Sequence, residues 1–464
     1  MMGSNRRGQM DLFVAGSLDR LIPEDHVLKR VDRVLDLSWL REEVADCYCL
    51  DNGRPGVDPE VALRLMLAGM LLGYVHDRRL LREAQAHLAV RWFIGYGLHE
   101  ELPDHSSLTR IRQRWGEERF KEIFRRTVRA CLDAQVAKAE VVHVDASLIR
   151  ADVSWESLAE RHASDVVREN DSEDEAGKKG GGGSGRVSRT DPEARMARKS
   201  ARAGFEPSYK HHAVVDDERG VVLDVAVTEG TLNERAMMAS QLEAVCEVSG
   251  CTPALVTADS GYAYSEVYAA LERRGVAALI PAKKEPSQSR VPLRLFRYDA
   301  RHDVVKCPRG RKLLPRWPAK GGRHYRSKTR DCAGCALRAA CLPKGWRSKV
   351  VLIPHEYPAL LRARRRHARR GEEERRLWRR RMWRSEGYHG EAKSWHGLAR
   401  AVRRGLVNMR VQSYLTATAV NLKRLAAALA ARLFVLWRAC AARKRRMRVP
   451  GVLTRRLGLL SQAA

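Results

Sequence analysis

The stretch VVHVDASLIRAD, residues 141–152, places a carboxylate directly after a segment that should be buried. Its first four residues predict a short β-strand of a protein core, and Asp145 comes next. The stretch ALVTADSG, residues 254–261, repeats the pattern, with Asp259 after a second short apolar strand. Because an unpaired buried carboxylate costs several kcal/mol, we expect both aspartates to stand at strand ends for a chemical reason.

The elements predicted around these aspartates follow the order of an α/β protein. They are a β-hairpin, a helix, a strand, a helix and a strand, at residues 211–230, 233–248, 253–259, 265–275 and 276–281. This order predicts a mixed sheet with flanking helices, in which sites form at the ends of strands. Such a core would begin near residue 136 and run to 283, with a flexible Gly- and Ser-rich loop at 165–205.

The charge of the chain indicates a polyanionic partner. Its 464 residues hold 86 Lys and Arg against 56 Asp and Glu, a formal net charge of +30. A protein this basic usually binds nucleic acid, and a ribosome-like or membrane-surface role is the alternative. The longest apolar run, residues 66–75, is about half of what a membrane span requires, and no secretory signal is visible. We therefore expect no membrane association.

A bound divalent cation would remove the repulsion between two neighbouring aspartates. Mg²⁺, or Mn²⁺ in its place, takes one or two carboxylates and leaves positions for water and phosphate oxygens. A single Asp after a strand more often forms a turn or caps a helix, so each residue alone is a weak signal. The pair, in a chain of this charge, favours a metal site.

Residues 1–135 are predicted to form an all-helical domain. The expected landmarks are an N-cap at Asp58, a second helix over 77–96, and Ser106 or Ser107 as the cap of the next helix. That helix carries three arginines, Arg110, Arg112 and Arg114. Such a domain is typical of DNA-binding proteins, and an ordinary helical domain with a solvated basic face fits equally well.

Four cysteines fall within residues 284–383, a basic, proline-containing region that interrupts the α/β pattern. They are Cys307, Cys332, Cys335 and Cys341. Four thiolates with one C-x₂-C pair could hold a tetrahedral Zn²⁺, and a set of buried reduced thiols is the alternative. Two basic runs, at 362–370 and 442–448, are typical of phosphate-contacting segments, although solvated charged helices have the same composition.

A third carboxylate would complete a metal site, and the segment SEGYHGEAKSW, residues 385–395, offers two. On a helix, Glu386 shares a face with His389 and Lys393, which suits a metal-and-phosphate site, whereas Glu391 points elsewhere. A surface pair without function is also common on helices. The glycines of this segment weaken the helix, so register alone leaves both glutamates open.

These motifs resemble those of the DDE transposases of bacterial insertion sequences. The similarity covers nearly the whole chain, through IPEDHVLKRVD, DHSSLTRIRQR, VDASLIRADVS, TADSGY, SEGYHGEAK, GLARAVRRGL and TATAVNLKRLAAAL. It implies an α/β RNase H-like core, interrupted by the cysteine-containing insertion and completed by the Glu-bearing helices and basic tail of residues 384–464. It also implies catalytic and Mg²⁺-binding roles for three residues, Asp145, Asp259 and Glu386.

The resemblance further implies double-stranded DNA as the partner, both as terminal inverted repeats and as target. A homodimer would bind it in a synaptic complex, at the nucleoid in the bacterial cytoplasm. Beside the arginines of the N-terminal domain, the implied DNA contacts are Lys393, Arg384, Arg403 and Arg404. A comparable cysteine cluster occurs in similar transposases, which favours zinc slightly.

Two departures from the family's pattern concern the glutamate motif. Met382 stands where related transposases often place an arginine, with Arg381 and Arg384 on either side. EGYHG replaces the frequent EHxFG, which leaves Glu386 favoured over Glu391 without deciding between them. Two other functions share this sequence pattern: an inactive relative that only binds DNA, and another metal-dependent nuclease of the same fold. The presence of all three carboxylates favours an active enzyme.

Overall fold

The computed structural model describes residues 17–49, 56–160, 186–200, 202–281, 283, 291–319 and 321–447. Its helices are α1 Leu18–Leu21, α2 Val27–Asp32, α3 Leu40–Glu43, α4 Pro59–Leu72, α5 Asp77–Ala86, α6 Leu88–Phe93, α7 His105–Asp133, α8 Met238–Ser249, α9 Ser265–Arg273, α10 Thr329–Ala333, α11 Arg338–Cys341, α12 Tyr357–Ala368, α13 Glu372–Arg381, α14 Gly387–Trp395 and α15 Leu406–Met447. Its strands are β1 Val141–Arg150, β2 Leu158–Glu160, β3 Arg186–Ser188, β4 Arg195–Ala197, β5 Glu206–Asp216, β6 Val222–Glu229, β7 Leu255–Thr257, β8 Ala277–Leu279, β9 Arg297–Asp299, β10 Val304–Lys306, β11 Lys312–Ala319, β12 Gly322–Ser327 and β13 Val350–Pro354.

The N-terminal part is helical, as predicted, with two differences at helix ends. α4 begins after Asp58, whose carboxylate accepts a hydrogen bond from the amide two residues on, at 2.8 Å. The single helix expected over 77–96 is two helices, because the chain leaves helical geometry at His87. The serine cap expected for α7 is wrong. Asp104 caps this helix and accepts a hydrogen bond from the Ser106 amide at 2.8 Å, so an earlier carboxylate already satisfies that donor.

The main sheet is mixed and flanked by helices, as predicted. Its order is β4–β5–β1–β7–β8, and β6 pairs with β5. β5 runs antiparallel to both β1 and β6, whereas β7 and β8 continue parallel to β1. The helices α7, α8 and α15 pack against β6. One continuous buried core runs from the N-terminal helices into this sheet.

The pairing of β1 differs from the expectation for Asp145. The parallel neighbour β7 pairs with β1 only from Val141 to His143, while the antiparallel pairing with β5 continues to Arg150. Asp145 therefore lies in the middle of a ten-residue strand, and the prediction that it ends the strand is wrong. It lies two residues beyond the last pair with β7, so the sheet opens beside it on that edge.

The cysteine-containing insertion forms a sheet that the sequence did not predict. β9 to β13 make an antiparallel five-stranded meander within residues 297–354. The flexible loop predicted at 165–205 is also too long, because β3 and β4 lie inside it. Residues 165–185 of that prediction lie outside the described residues.

The long helix α15 brings the C-terminal part of the chain against the N-terminal helices. It packs on α2, α4 and α7 as well as on β6. Ahead of it, His396 Nδ1 lies 2.7 Å from the carbonyl oxygen of Met70. Gly397, at φ 71°, is so close to the segment after α4 that an added Cβ would lie 2.2 Å from Val75 Cγ1. Among the helices that the structure describes, none is long and apolar enough to cross a membrane.

Candidate active site

Asp145 lies at the open edge of β1 with its side chain 15% exposed. The pKa of its carboxyl is raised to about 7, chiefly by burial. Arg381 and the Ala146 amide oppose this shift, and the charges of Asp259 and Glu234 add to it. Burial thus favours the neutral form of this carboxyl, and a cation placed against it would favour the charged form.

Asp259 follows β7 and turns the chain toward α9. Its Oδ1 accepts a hydrogen bond from the Gly261 amide at 2.7 Å, which caps the single 3₁₀ turn Ser260–Tyr262. The charge of Asp259 acts on the carboxyl of Asp145. The structure therefore brings the two predicted aspartates into one acidic cluster, and the turn that Asp259 caps also fixes the position of its carboxylate.

Glu386 reaches this cluster through Arg381. The guanidinium of Arg381 lies 3.9 Å from Asp145 Oδ2 and 3.7 Å from Glu386 Oε1, and its side chain is only 9% exposed. The side chain of Glu386 is 56% exposed, at the rim of the cluster. The first and third predicted carboxylates thus share one buried cation and do not touch each other.

The backbone that leads to Glu386 is a π-helical turn, Met382–Glu386. A π turn pairs residues five apart, so residue i+5 takes the place that i+4 has in an α-helix. The arginine expected at position 382 is absent, but the π turn brings the preceding residue, Arg381, against Glu386 instead. Met382 is 50% exposed. Arg381 thus lies near Glu386 although the arginine expected at 382 is absent, and π turns are frequent at functional sites.

Glu391 belongs to a different, structural ion cluster. Its carboxylate contacts Lys423 at 2.6 Å and also Arg424, both on α15, and lies 3.5 Å from His396 Nε2. Burial raises its pKa, but the hydrogen bonds from His396 and Lys423 and the charge of Arg424 outweigh burial and hold the pKa well below its usual range. Glu391 thus ties α14 to α15, while Glu386 is the glutamate that faces Asp145 across Arg381.

Lys393 lies beside the open edge of β1. Its Nζ donates to Ser147 Oγ at 2.5 Å and to the carbonyl of Leu148 at 3.0 Å. Burial lowers the pKa of Lys393, Lys199 lowers it further, and the carboxylate of Asp145 raises it. The predicted lysine is therefore in the field of the acidic cluster, next to the strand that carries the first aspartate.

Two members of the cluster were not predicted. Glu234 begins the 3₁₀ turn Glu234–Met237, and burial and the charge of Asp259 raise the pKa of its carboxyl while Lys210 lowers it. Tyr262 is fully buried, and its hydroxyl has no hydrogen-bond partner among the described residues. An acid in the first turn of a helix is ordinary, so nothing in the sequence distinguishes Glu234. Tyr262 is part of the motif TADSGY, in which a role was predicted only for Asp259.

The predicted DNA-binding arginines divide into two groups. Arg112 is 7% exposed and pairs with Asp77, which Arg403 also contacts at 2.6 Å. The expectation that Arg112 contacts DNA is therefore wrong, because its guanidinium is buried against a carboxylate. Arg384 donates to two carbonyls of the β5–β6 turn, at 2.7 and 2.6 Å. The exposed members are Arg110, Arg114 and Arg404.

The four predicted zinc ligands line one cavity of the insertion, between its sheet and α10 and α11. All four, Cys307, Cys332, Cys335 and Cys341, are free thiols. Burial raises the pKa of the Cys341 thiol, Lys349 lowers it, and the other three cysteines raise it. The four sulfur atoms therefore lie within one another's electrostatic field.

Neither the acidic cluster nor the four cysteines have their side chains in a metal-binding arrangement. Within the described ranges, no group of three or more His, Cys, Asp or Glu side chains is spaced to hold a metal ion. The donor chemistry fits nevertheless, with hard oxygens at the acidic cluster and soft thiolates in the insertion. Mg²⁺ takes only one or two carboxylates, so a pair of acids is enough to begin its site.

The fold and the site together define an α/β protein with an acidic cluster at the open edge of its central strand. Residues 16–114 match the family described as Transposase domain (DUF772), and residues 306–426 match the family described as Transposase DDE domain. Both matches are to transposase domains, and the second is of the DDE type. The second match contains Glu386, whereas Asp145 and Asp259 lie outside both.

Solved structures add little to the family assignment. The "Mos1 transposase paired-end complex with left transposon end" is 13% identical over 53% of this chain and 66% of its own. The "Crystal structure of a pre-cleavage Mos1 transpososome" is 12% identical over 77% of this chain and 86% of its own. Both have a TM-score of 0.17, at which no shared fold is established. The chain spans about two thirds of the first. No curated protein matches the chain.

Proposed function

We propose that the protein is a DNA transposase of a bacterial insertion sequence, which cleaves DNA at the transposon ends and transfers the strand to a target. The observation that carries the proposal is the cluster at β1, where Asp145 lies with Asp259 and shares Arg381 with Glu386. An RNase H-like core is part of the proposal. The sheet order supports it, because antiparallel β6, β5 and β1 are followed by parallel β7 and β8.

Asp145, Asp259 and Glu386 would hold Mg²⁺ or Mn²⁺, which lowers the pKa of an attacking water or 3′-hydroxyl and stabilises the leaving oxygen. Lys393 would bind a DNA phosphate beside β1, since its Nζ already lies over the open edge of that strand. Arg381 would fix the orientation of the two carboxylates that it contacts. The protein thus contributes chiefly the positioning of charge.

Double-stranded DNA is the proposed partner, as terminal inverted repeats and as target, bound by a homodimer in a synaptic complex. The net charge of +30 supports a polyanionic partner. Trp383, which is 81% exposed on the π turn next to Arg384, would stack on a base. We place the protein at the bacterial nucleoid.

The four cysteines of the insertion would hold a structural Zn²⁺ that fixes α10 and α11 to the five-stranded sheet. Metal analysis of the dialysed protein should then find about one equivalent of zinc for the four thiolates. Less than about half an equivalent would contradict this assignment.

Strand transfer is the reaction that tests the proposed function. We expect the purified protein, with Mg²⁺, to join a labelled 3′ end of the DNA that flanks its own gene to a target plasmid. Cleavage that needs no such ends would instead identify a nuclease. Tight binding to those ends without any cleavage would identify an inactive relative.

A further inference from the structure

The acidic cluster contains a fourth carboxylate, Glu234, which the proposed triad does not use. Its Oε1 pairs with Lys210 Nζ at 3.4 Å, while its Oε2 is directed toward Gly261 in the turn that Asp259 caps. Lys210 also donates to the carbonyl of Leu232 at 2.7 Å, which ties it to the backbone just before Glu234. One oxygen of Glu234 is therefore held by the protein, and the other faces the acidic cluster.

Gly261 lies between Glu234 and Asp259 and shows how close their carboxylates are. A Cβ added at Gly261 would lie 2.8 Å from Asp259 Oδ1 and 2.9 Å from Glu234 Oε2. Both distances are shorter than real Cβ contacts, so any residue other than glycine would push the carboxylates away. Divalent cations bind oxygens at roughly 2.0–2.6 Å. The two acids thus border one cradle that only glycine leaves open.

Tyr262 is an independent sign that a ligand belongs in this cluster. Its side chain is fully buried, and its hydroxyl has no partner among the described residues. Burial raises the pKa of Tyr262 well above its usual value, and the charges of Glu234, Asp145 and Asp259 raise it further. The hydroxyl therefore lies within the electrostatic field of the same three carboxylates. A buried hydroxyl without a hydrogen-bond partner is destabilising, which a bound ligand with its water would offset.

We propose that Glu234 is a further ligand of the divalent cation, paired with Asp259 across the Gly261 cradle. The inference rests on the proposed function of the cluster and adds a residue to it. Asp259 and Glu234 make a two-carboxylate pair of the kind that Mg²⁺ takes. The charges of both acids act on Asp145, and Asp145 also lies near the guanidinium that Glu386 contacts.

Mn²⁺ binding to the full chain, followed by electron paramagnetic resonance of the free ion, tests this proposal without any DNA. We expect Glu234→Gln to weaken Mn²⁺ binding by about tenfold or more, as loss of a ligand should. Gly261→Ala should weaken it similarly, because it displaces both carboxylates without changing their charge. Glu266→Gln is the matched control. Glu266 is exposed, and its carboxylate lies 3.1 Å from the guanidinium of Arg235 on the neighbouring turn.

Two further variants separate the alternatives. Lys210→Met should leave Mn²⁺ binding unchanged or tighten it, because it removes a competing cation. If Lys210→Met weakens binding as much as Glu234→Gln does, Glu234 acts only through the lysine and the proposal is wrong. If Glu234→Gln binds Mn²⁺ like the wild type while Asp145→Asn does not, Glu234 is no ligand but the proposed function stands. If the wild type shows no saturable Mn²⁺ binding, both the proposed role of Glu234 and the proposed function are wrong.

Discussion

At the scale of single residues, Glu386 and Glu391 show how two carboxylates of one segment take different roles. Glu386 is 56% exposed at the rim of the acidic cluster, where Arg381 is its ion-pair partner among the described residues, whereas Glu391 is 16% exposed between Lys423 and Arg424. We predict that Glu386→Gln abolishes DNA cleavage and leaves the free energy of unfolding nearly unchanged. Glu391→Gln should lower that free energy by about 2 kcal/mol, because it leaves two half-buried cations without an anion.

Urea unfolding and a nicking assay on the same two variants provide the measurement. The reverse result, a stable Glu391→Gln that cannot cleave and an active Glu386→Gln, would exchange the roles of the two glutamates.

The ion cluster of Glu391 also predicts how stability depends on pH. The folded pKa of Glu391 is depressed below its unfolded value of about 4.3, so its contribution is complete above that value. The contribution is lost as the pH falls below about 4.3 toward the folded pKa. We therefore expect the stability difference between wild type and Glu391→Gln to be largest at pH 7 and to shrink at pH 3. A difference that grows on acidification would contradict the ion cluster.

At the scale of elements, the π turn Met382–Glu386 decides which residue faces the acidic cluster. It places Arg381 against Asp145 and Glu386 and leaves Met382 exposed. We predict that Arg381→Met lowers the rate of Mg²⁺-dependent cleavage by at least about tenfold, since a preorganised charge is lost from the site. Met382→Ala, the adjacent control, should keep most of the rate. Equal losses in the two variants would mean that the turn matters only as structure.

The strands that could be predicted from the sequence are those with a clear apolar pattern. The hairpin β5–β6 and the short apolar strands β7 and β8 have clear apolar runs between turn residues, and the structure confirms them. The five-stranded sheet of the insertion was missed because β9 and β10 have only three residues each and β11 contains two prolines among exposed basic residues. Periodicity cannot detect strands of this kind.

The acidic cluster was predictable only in part for a related reason. Asp145 and Asp259 each follow a short apolar run in the sequence, so their positions carry a signal. Glu234 lies at the start of a helical turn, where an acid is ordinary, and only the tertiary approach of that turn to Gly261 shows its place. The role of Arg381 depended on a π turn, which no residue pattern in the segment indicates.

At the scale of the whole molecule, only those positively charged side chains that lie on the surface can contact DNA, and some arginines are buried. Arg112 is buried against Asp77, while Arg110 on the same helix is exposed. We predict that Arg110→Ala weakens DNA binding and reduces the salt slope by about 1, as loss of one phosphate contact should. Arg112→Ala should instead lower the melting temperature and leave the salt slope unchanged. A titration of binding against salt for both variants checks this, and equal slopes for wild type and Arg110→Ala would show that Arg110 does not contact a DNA phosphate.

The central claim is that the cluster at β1 is the catalytic metal site of a DNA-cleaving enzyme. The most direct measurement compares cleavage and binding of DNA carrying the element's own ends by the wild type and by Asp145→Ala, with and without Mg²⁺. We predict Mg²⁺-dependent cleavage by the wild type, none by the variant, and the same DNA affinity for both. Cleavage by Asp145→Ala at the rate of the wild type would show that the catalytic site lies elsewhere.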